Sequence, residues 1–129
     1  MEDKRILIDT SVVIDHFRKK NKQKSLLYKL ATENTLFLSA ISKFEFLVGA
    51  KLTQIRQTKE IVEAFYVLSF NSHVADVASD ISKKLKTKNK IIEFRDIFIA
   101  ATAIANDIPL STLNIKHFER IDNLELIGF

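Results

Sequence analysis

The sequence predicts an α/β protein, a three-layer α/β/α sandwich around a central, mostly parallel sheet of four or five strands. Three observations carry this expectation. Short apolar runs without polar alternation, such as Ile6-Leu7-Ile8 and Leu36-Phe37-Leu38, have the pattern of strands buried on both faces. Between them lie segments whose apolar residues recur at helical spacing, so strands and helices alternate along the chain. Only two glycines and one proline punctuate 129 residues, which leaves little room for linkers, and no repeat or low-complexity tract divides the chain. A single domain over residues 1–129 is expected, large enough to bury a core without disulfides or metals holding it together.

Taken in order, the first strand is Lys4-Arg5-Ile6-Leu7-Ile8, and it stops at a carboxylate, Asp9, followed by Thr10 and Ser11 as candidate caps of a helix through Val12, Val13, Ile14 and Phe17. A basic run, Arg18 to Lys24, separates this helix from another with Leu26, Leu27, Leu30 and Ala31 on one face. The second strand, Leu36 to Leu38, ends at Ser39. Ser42-Lys43-Phe44-Glu45 then matches a capping box, with Phe46, Leu47 and Ala50 continuing the helix and Gly49 allowing close packing. A charged helix over residues 53–64 leads to a third strand, Phe65 to Phe70. Asn71 or Ser72 caps a long helix carrying Val74, Val77, Ala78, Ile81 and Leu85, which ends in a second basic run, Lys83 to Lys90. Residues 94–105 are small or apolar on nearly every side, the pattern of a helix packed deep in the domain, with Asp96 at its head. A fourth strand, Ile108 to Ser111, carries Pro109 at its start, and Leu124 to Ile127 forms a final edge strand.

Composition excludes several chemistries. There is no cysteine, so thiol catalysis, disulfide scaffolds and cysteine-ligated zinc are ruled out. His16, His73 and His117 show no ligand spacing and read as surface or packing residues. The start, Met1 to Arg5, precedes too short an apolar run for a secretory signal or membrane span, so a cytoplasmic location is the default. A net charge of +4 and a pI near 9.3 permit nucleic-acid binding without demanding it.

What remains is a set of acids. In sheets of this kind, ligands bind beyond the carboxyl ends of the strands, and Asp9, Glu45 and Asp96 all fall at that edge. Each also has a local explanation: Glu45 in the capping box, Asp96 favoured by the helix dipole. Together, three anions repel unless a cation neutralises them. Oxygen ligands select a hard ion, Mg²⁺ or Mn²⁺, which can activate water and stabilise charge on a phosphodiester. Glu93, three residues before Asp96, is the other acid placed to support such a group.

Four stretches in this order, Leu7-Ile8-Asp9-Thr10-Ser11, Ser39 to Ser42 through Glu45 to Gly49, Asp96 to Ala101 as D-x-x-I-A-A, and Thr112-Leu113-Asn114 through His117-Phe118, give the chain a resemblance to PIN-domain ribonucleases and, within them, VapC-type toxins. The resemblance implies a PIN-like fold and a Mg²⁺- or Mn²⁺-dependent endoribonuclease. Asp9, Glu45 and Asp96 would be its acids: Asp9 and Asp96 as metal ligands, Glu45 completing the site directly or through water, Ser11 and Thr112 supplying hydroxyls. Asn114 stands where family members often carry a fourth acid, which favours one tightly held metal over two. Arg18, Lys19, Lys20, Lys86, Lys88 and Lys90 would gather the RNA backbone. The resemblance also implies an antitoxin partner placing a basic side chain over the acids, and a homodimer.

Other classes fit less well. A receiver domain requires a phosphoacceptor Asp after strand three, where Ser69-Phe70-Asn71 stands; a haloacid-dehalogenase-type phosphatase requires Asp-x-Asp, where Asp9-Thr10-Ser11 stands; and no glycine-rich nucleotide loop exists. The alternative is a non-catalytic PIN-like RNA-binding or interaction module whose acids are structural caps.

Overall fold

The computed structural model describes residues 4–127; Met1-Glu2-Asp3 and Gly128-Phe129, which belong to the expected domain and its N-terminal reading, lie outside the described residues. Five strands form one sheet: β1 (Arg5–Ile8), β2 (Thr35–Ser39), β3 (Tyr66–Leu68), β4 (Leu110–Ser111) and β5 (Leu126–Ile127). Their order is β3-β2-β1-β4-β5 and every pairing is parallel, which sharpens the expected mostly parallel sheet of four or five strands. Helices α1 (Thr10–Arg18) and α2 (Leu26–Glu33) connect β1 to β2, and α3 (Ala40–Gly49) and α4 (Ile55–Glu63) connect β2 to β3. Helices α5 (Ser72–Thr87) and α6 (Phe94–Ala105) cross back to β4, and α7 (Ile115–Phe118) leads to β5.

The apolar run of β1 explains the layering. Ile6 and Ile8 face one core with Val12, Val13, Leu27, Leu38, Phe46 and Val62, whereas Leu7 faces the other with Val74, Ile81, Ile99, Leu110 and Phe118. Period-two geometry therefore buries successive β1 residues under helices on opposite faces. Among the described residues, no helix is long and apolar enough to cross a membrane.

Several local expectations are corrected. The third strand is Tyr66–Leu68 rather than Phe65–Phe70, because its last partner is Ser39, where β2 ends and α3 begins. Phe65 instead enters the core beside Val62, and Phe70 meets Phe98 edge-on at 4.7 Å. β4 is limited to Leu110–Ser111, although the Pro109 carbonyl still accepts from Leu7 N–H at 2.9 Å. The capping box at Ser42-Glu45 does not form. α3 starts earlier, because the Ser39 hydroxyl accepts the Ser42 N–H at 3.0 Å, so Ser39 is the cap and Glu45 lies in the second turn. Gly49 does not provide close packing, since a Cβ there would meet nothing within 4 Å. Ala31 is exposed, and only Leu27 of its helix is fully buried. Asn71 caps α5 as expected, accepting from Val74 N–H.

The path of the chain creates the crevice. Connections out of β1 and β2 proceed toward one edge, and the α5–α6 crossover then returns to the opposite side of β1. The carboxyl ends of β1 and β4 therefore flank the point where the winding reverses, the place where such sheets bind ligands.

Candidate active site

Asp9 follows β1 directly, and its N–H donates to Ser111 O at 2.9 Å, which locks it against the end of β4. It occupies the N-cap position of α1, yet its side chain makes no capping bond; Thr10 and Ser11, expected as caps, lie inside the helix. Their hydroxyls turn to the acids instead. Ser11 Oγ donates to Asp9 Oδ2 at 2.7 Å and Thr112 Oγ1 donates to the same oxygen at 2.8 Å. The two hydroxyls are themselves oriented by the N–H groups of Leu113 and Asn114, respectively. Asp9 is fully buried, and its other oxygen, Oδ1, has no hydrogen-bond partner among the described residues.

An unpartnered carboxylate oxygen in the interior is costly unless a cation faces it. The nearest positive charge is Arg95 Nη2, at 3.8 Å. Arg95, the second residue of α6, was not among the sequence candidates, yet its guanidinium occupies the middle of the acid cluster. Its Nε donates to Glu45 Oε2 at 2.6 Å and its Nη2 to Glu45 Oε1 at 2.9 Å, a two-pronged contact. Nη2 also donates to Thr10 Oγ1 at 2.9 Å, and Nη1 donates to Asp96 Oδ1. Thr10 Oγ1 lies 3.1 Å from Glu45 Oε1, closing the ring.

Asp96 is almost fully buried in the first turn of α6. Its second oxygen, Oδ2, lies 3.3 Å from His117 Nδ1. Burial pushes the Asp96 carboxyl above the ordinary range, Arg95 opposes this, and the neighbouring Asp9 charge reinforces it. For Arg95, burial works against the charged form, but the hydrogen bond to Glu45 and the charges of Glu45, Asp9 and Asp96 raise its pKa overall. The guanidinium is therefore a permanent cation, held by three acids that it only partly neutralises.

The structure thus brings Asp9, Glu45 and Asp96 around one point, with Ser11 and Thr112 fixing the first of them. Asn114 begins α7, but among the described contacts only its backbone N–H reaches this network. Glu93 is exposed at the N-cap of α6; its backbone carbonyl accepts the Asp96 N–H at 3.1 Å, but among the described contacts its carboxylate does not reach the acids. His117, expected as a surface or packing residue, is indeed over half exposed, but it leans on Asp96. Two signals could have pointed to the missed groups: a cation adjacent to one of three clustered acids, and an imidazole at the end of a motif already singled out.

The basic runs divide. Arg18 lines a groove of about 350 Å³ that starts at Thr10 and Glu45. Lys19 pairs with Asp15 at 3.7 Å, Lys20 is exposed, and Lys22 donates to the carbonyls of His16 and Phe17. Lys86 and Lys90 flank Phe94 at the head of α6, whereas Lys88 is tied to Asp122 at 3.0 Å on another face.

A divalent ion fits the chemistry of this donor set. Among the described residues, Asp9 Oδ1 has no hydrogen-bond partner, Asp96 Oδ2 meets only an exposed imidazole, and the three acids offer oxygen donors. As the side chains stand, among the described residues no three acids or imidazoles enclose an ion, because Arg95 lies between Glu45 and the two aspartates.

Comparison with known proteins identifies the family. The PIN domain family model matches residues 6–124. Ribonuclease VapC1 of Methanocaldococcus jannaschii is 35% identical over 126 residues, covering 97% of this chain and 87% of that protein. Ribonuclease VapC10 of Mycobacterium tuberculosis is 28% identical, covering 93% and 90%. Among solved structures, VapBC2 from Rickettsia felis, bound to a DNA fragment from its promoter, superposes with a TM-score of 0.80 at 25% identity over 97% of this chain and 98% of that one. The matched span begins in β1 and runs past α7, taking in all three acids and the hydroxyls behind Asp9; the chain belongs to the PIN-domain family.

Proposed function

We propose that this chain is a metal-dependent endoribonuclease, and that it acts as the toxin of a type II toxin–antitoxin pair. Relatives named as VapC ribonucleases and a neighbour solved as a VapBC complex support the class. The observation that carries the chemistry is the unpartnered Oδ1 of buried Asp9, 3.8 Å from the guanidinium that Glu45 and Asp96 also hold, at the carboxyl edge of a parallel sheet. A non-catalytic module with structural caps accounts for it poorly. Asp9 caps nothing, Glu45 lies past the cap of α3, and Asp96 contacts Arg95 and His117 rather than a helix N–H.

Asp9 and Asp96 would hold Mg²⁺ or Mn²⁺, and Glu45 would complete the site directly or through water. Such an ion supplies Lewis-acid stabilisation of a phosphodiester and lowers the pKa of water. The chain's own groups do the rest. Ser11 and Thr112 hold Asp9 Oδ2, which leaves Oδ1 as the oxygen on the Arg95 side. Exposed Arg18, in the groove that also touches Thr10 and Glu45, and Lys86 and Lys90, beside Phe94 at the head of α6, offer positive charge suited to an RNA backbone; Lys88 contributes less because Asp122 holds it. An antitoxin and a second copy of the chain are the proposed protein partners, in the cytoplasm. Exposed Phe44, Val48 and Leu52 provide apolar surface for such contacts.

The test is cleavage of total RNA by the wild type and Asp96→Asn, each with Mn²⁺ and with EDTA. Discrete cleavage lost on chelation and in the folded variant is the expected result. Cleavage that survives both points away from this site, and no cleavage combined with no Mn²⁺ binding favours the interaction module.

A further inference from the structure

Arg95 presents a feature that a three-acid metal site does not require. Its fork takes both oxygens of Glu45, a third N–H takes Asp96 Oδ1, and the same Nη2 is the nearest cation to Asp9 Oδ1. A planar guanidinium satisfies carboxylates in a fixed geometry and retains its charge at any working pH. The side chain is still 28% exposed and projects from the first turn of α6, so it has an open path to solvent. Thr10 Oγ1 supports it from the opposite wall, making the seat a built one rather than a chance surface pair.

The geometry points to Arg95 as a resident cation that competes with the divalent ion for the acids, so that full engagement of Glu45 and Asp96 by metal requires the guanidinium to leave. This rests on the metal-dependent reading above. Two like charges cannot share the cluster at hydrogen-bond range without large repulsion in a partly desolvated pocket. Arg95 therefore lowers the metal affinity of the free protein while partly neutralising its acids in the metal-free state. The chain carries its own inhibitory cation, in addition to any that a partner brings.

The experiment is Mn²⁺ titration of the full chain by calorimetry and by the EPR signal of free Mn²⁺, for wild type, Arg95→Gln, Arg95→Lys and Arg95→Gln/Asp9→Asn. Arg95→Gln should bind Mn²⁺ at least about 5-fold more tightly, within the ordinary range of coupling between two sites. Arg95→Lys, which keeps the charge but loses the fork, should fall between. Thermal melting should show Arg95→Gln less stable than wild type in EDTA and raised more by Mn²⁺. Equal or weaker binding by Arg95→Gln would overturn the proposal and make Arg95 a support of the site. If Arg95→Gln does not fold, a Lys variant that binds no more tightly than wild type overturns it equally. Binding that survives Asp9→Asn, or no binding by any variant, instead removes the metal site itself.

Discussion

Thr112→Val tests the part of the site on which everything else depends, the fixing of Asp9. The substitution keeps the side-chain volume and removes one hydroxyl, which donates to Asp9 Oδ2 at 2.8 Å within a fully buried position. Among the described residues Asp9 Oδ1 has no partner, so Oδ2 carries the carboxylate's hydrogen bonding, through Ser11 and Thr112. A hydrogen bond to a charged group is worth about 1.5–3 kcal/mol net. The Asn114 N–H also loses its acceptor, but Asn114 is exposed and water can replace it at little cost. The expected loss is about 2 kcal/mol, equivalent to a Tm lower by roughly 5–10 °C for a chain of this size. Urea unfolding followed by circular dichroism should show a lower midpoint at unchanged slope. A loss below about 0.5 kcal/mol would mean that Thr112 does not hold a buried Asp9 carboxylate, and the reasoning from its orphaned oxygen would collapse.

Other outcomes follow from the same contacts. Ser39→Ala should cost about 1 kcal/mol through loss of the α3 cap, and Ser42→Ala clearly less, a contrast measurable by equilibrium unfolding; the reverse order would restore the capping box. Phe118→Ala, which empties a fully buried position against α6, should cost about 3–5 kcal/mol by the same assay. His16 offers a pH test. Burial lowers its pKa, with Lys22 adding to the effect and Asp15 opposing it, so its contribution to stability is fully present above 6.5 and is lost as pH falls through the lowered value. Removing it by His16→Gln should flatten the stability profile in that window, and NMR titration of the imidazole should give a value below 6.5.

The fold was legible because its signals are local and redundant. Ile6-Leu7-Ile8 reads as a doubly buried strand whatever surrounds it, and the structure divides those three residues between two cores. Boundaries were less legible where a neighbour decides them. Phe65 and Phe70 look like strand residues, but the strand lasts only while β2 offers a backbone partner, and β2 stops at Ser39. The same serine shifted the start of α3, since Ser39 and Ser42 are both competent caps and only the strand end selects the first.

The site divides along the same line. The three acids could be read from their positions at strand ends and helix heads, which depend on chain order and not on packing. Arg95 could not, because i and i+1 on a helix do not ordinarily face one group, and its reach across to Glu45, 50 residues earlier, exists only once α3 and α6 are packed. That difference bears on mechanism. A carboxylate cluster assembled by topology alone would be unstable without an ion, whereas this one folds around a cation encoded beside its own third acid. If this site takes a divalent ion as proposed, binding is an exchange of cations rather than the filling of an empty charge, and its strength depends on how firmly Glu45 and Thr10 hold the guanidinium. Thr10→Val, which removes the acceptor of the Arg95 Nη2 bond together with the Thr10 hydroxyl's own bond to Glu45 Oε1 but changes no acid, should therefore shift Mn²⁺ affinity in the same direction as Arg95→Gln and by a smaller factor. A shift in the opposite direction would show that Thr10 serves the acids and not the arginine.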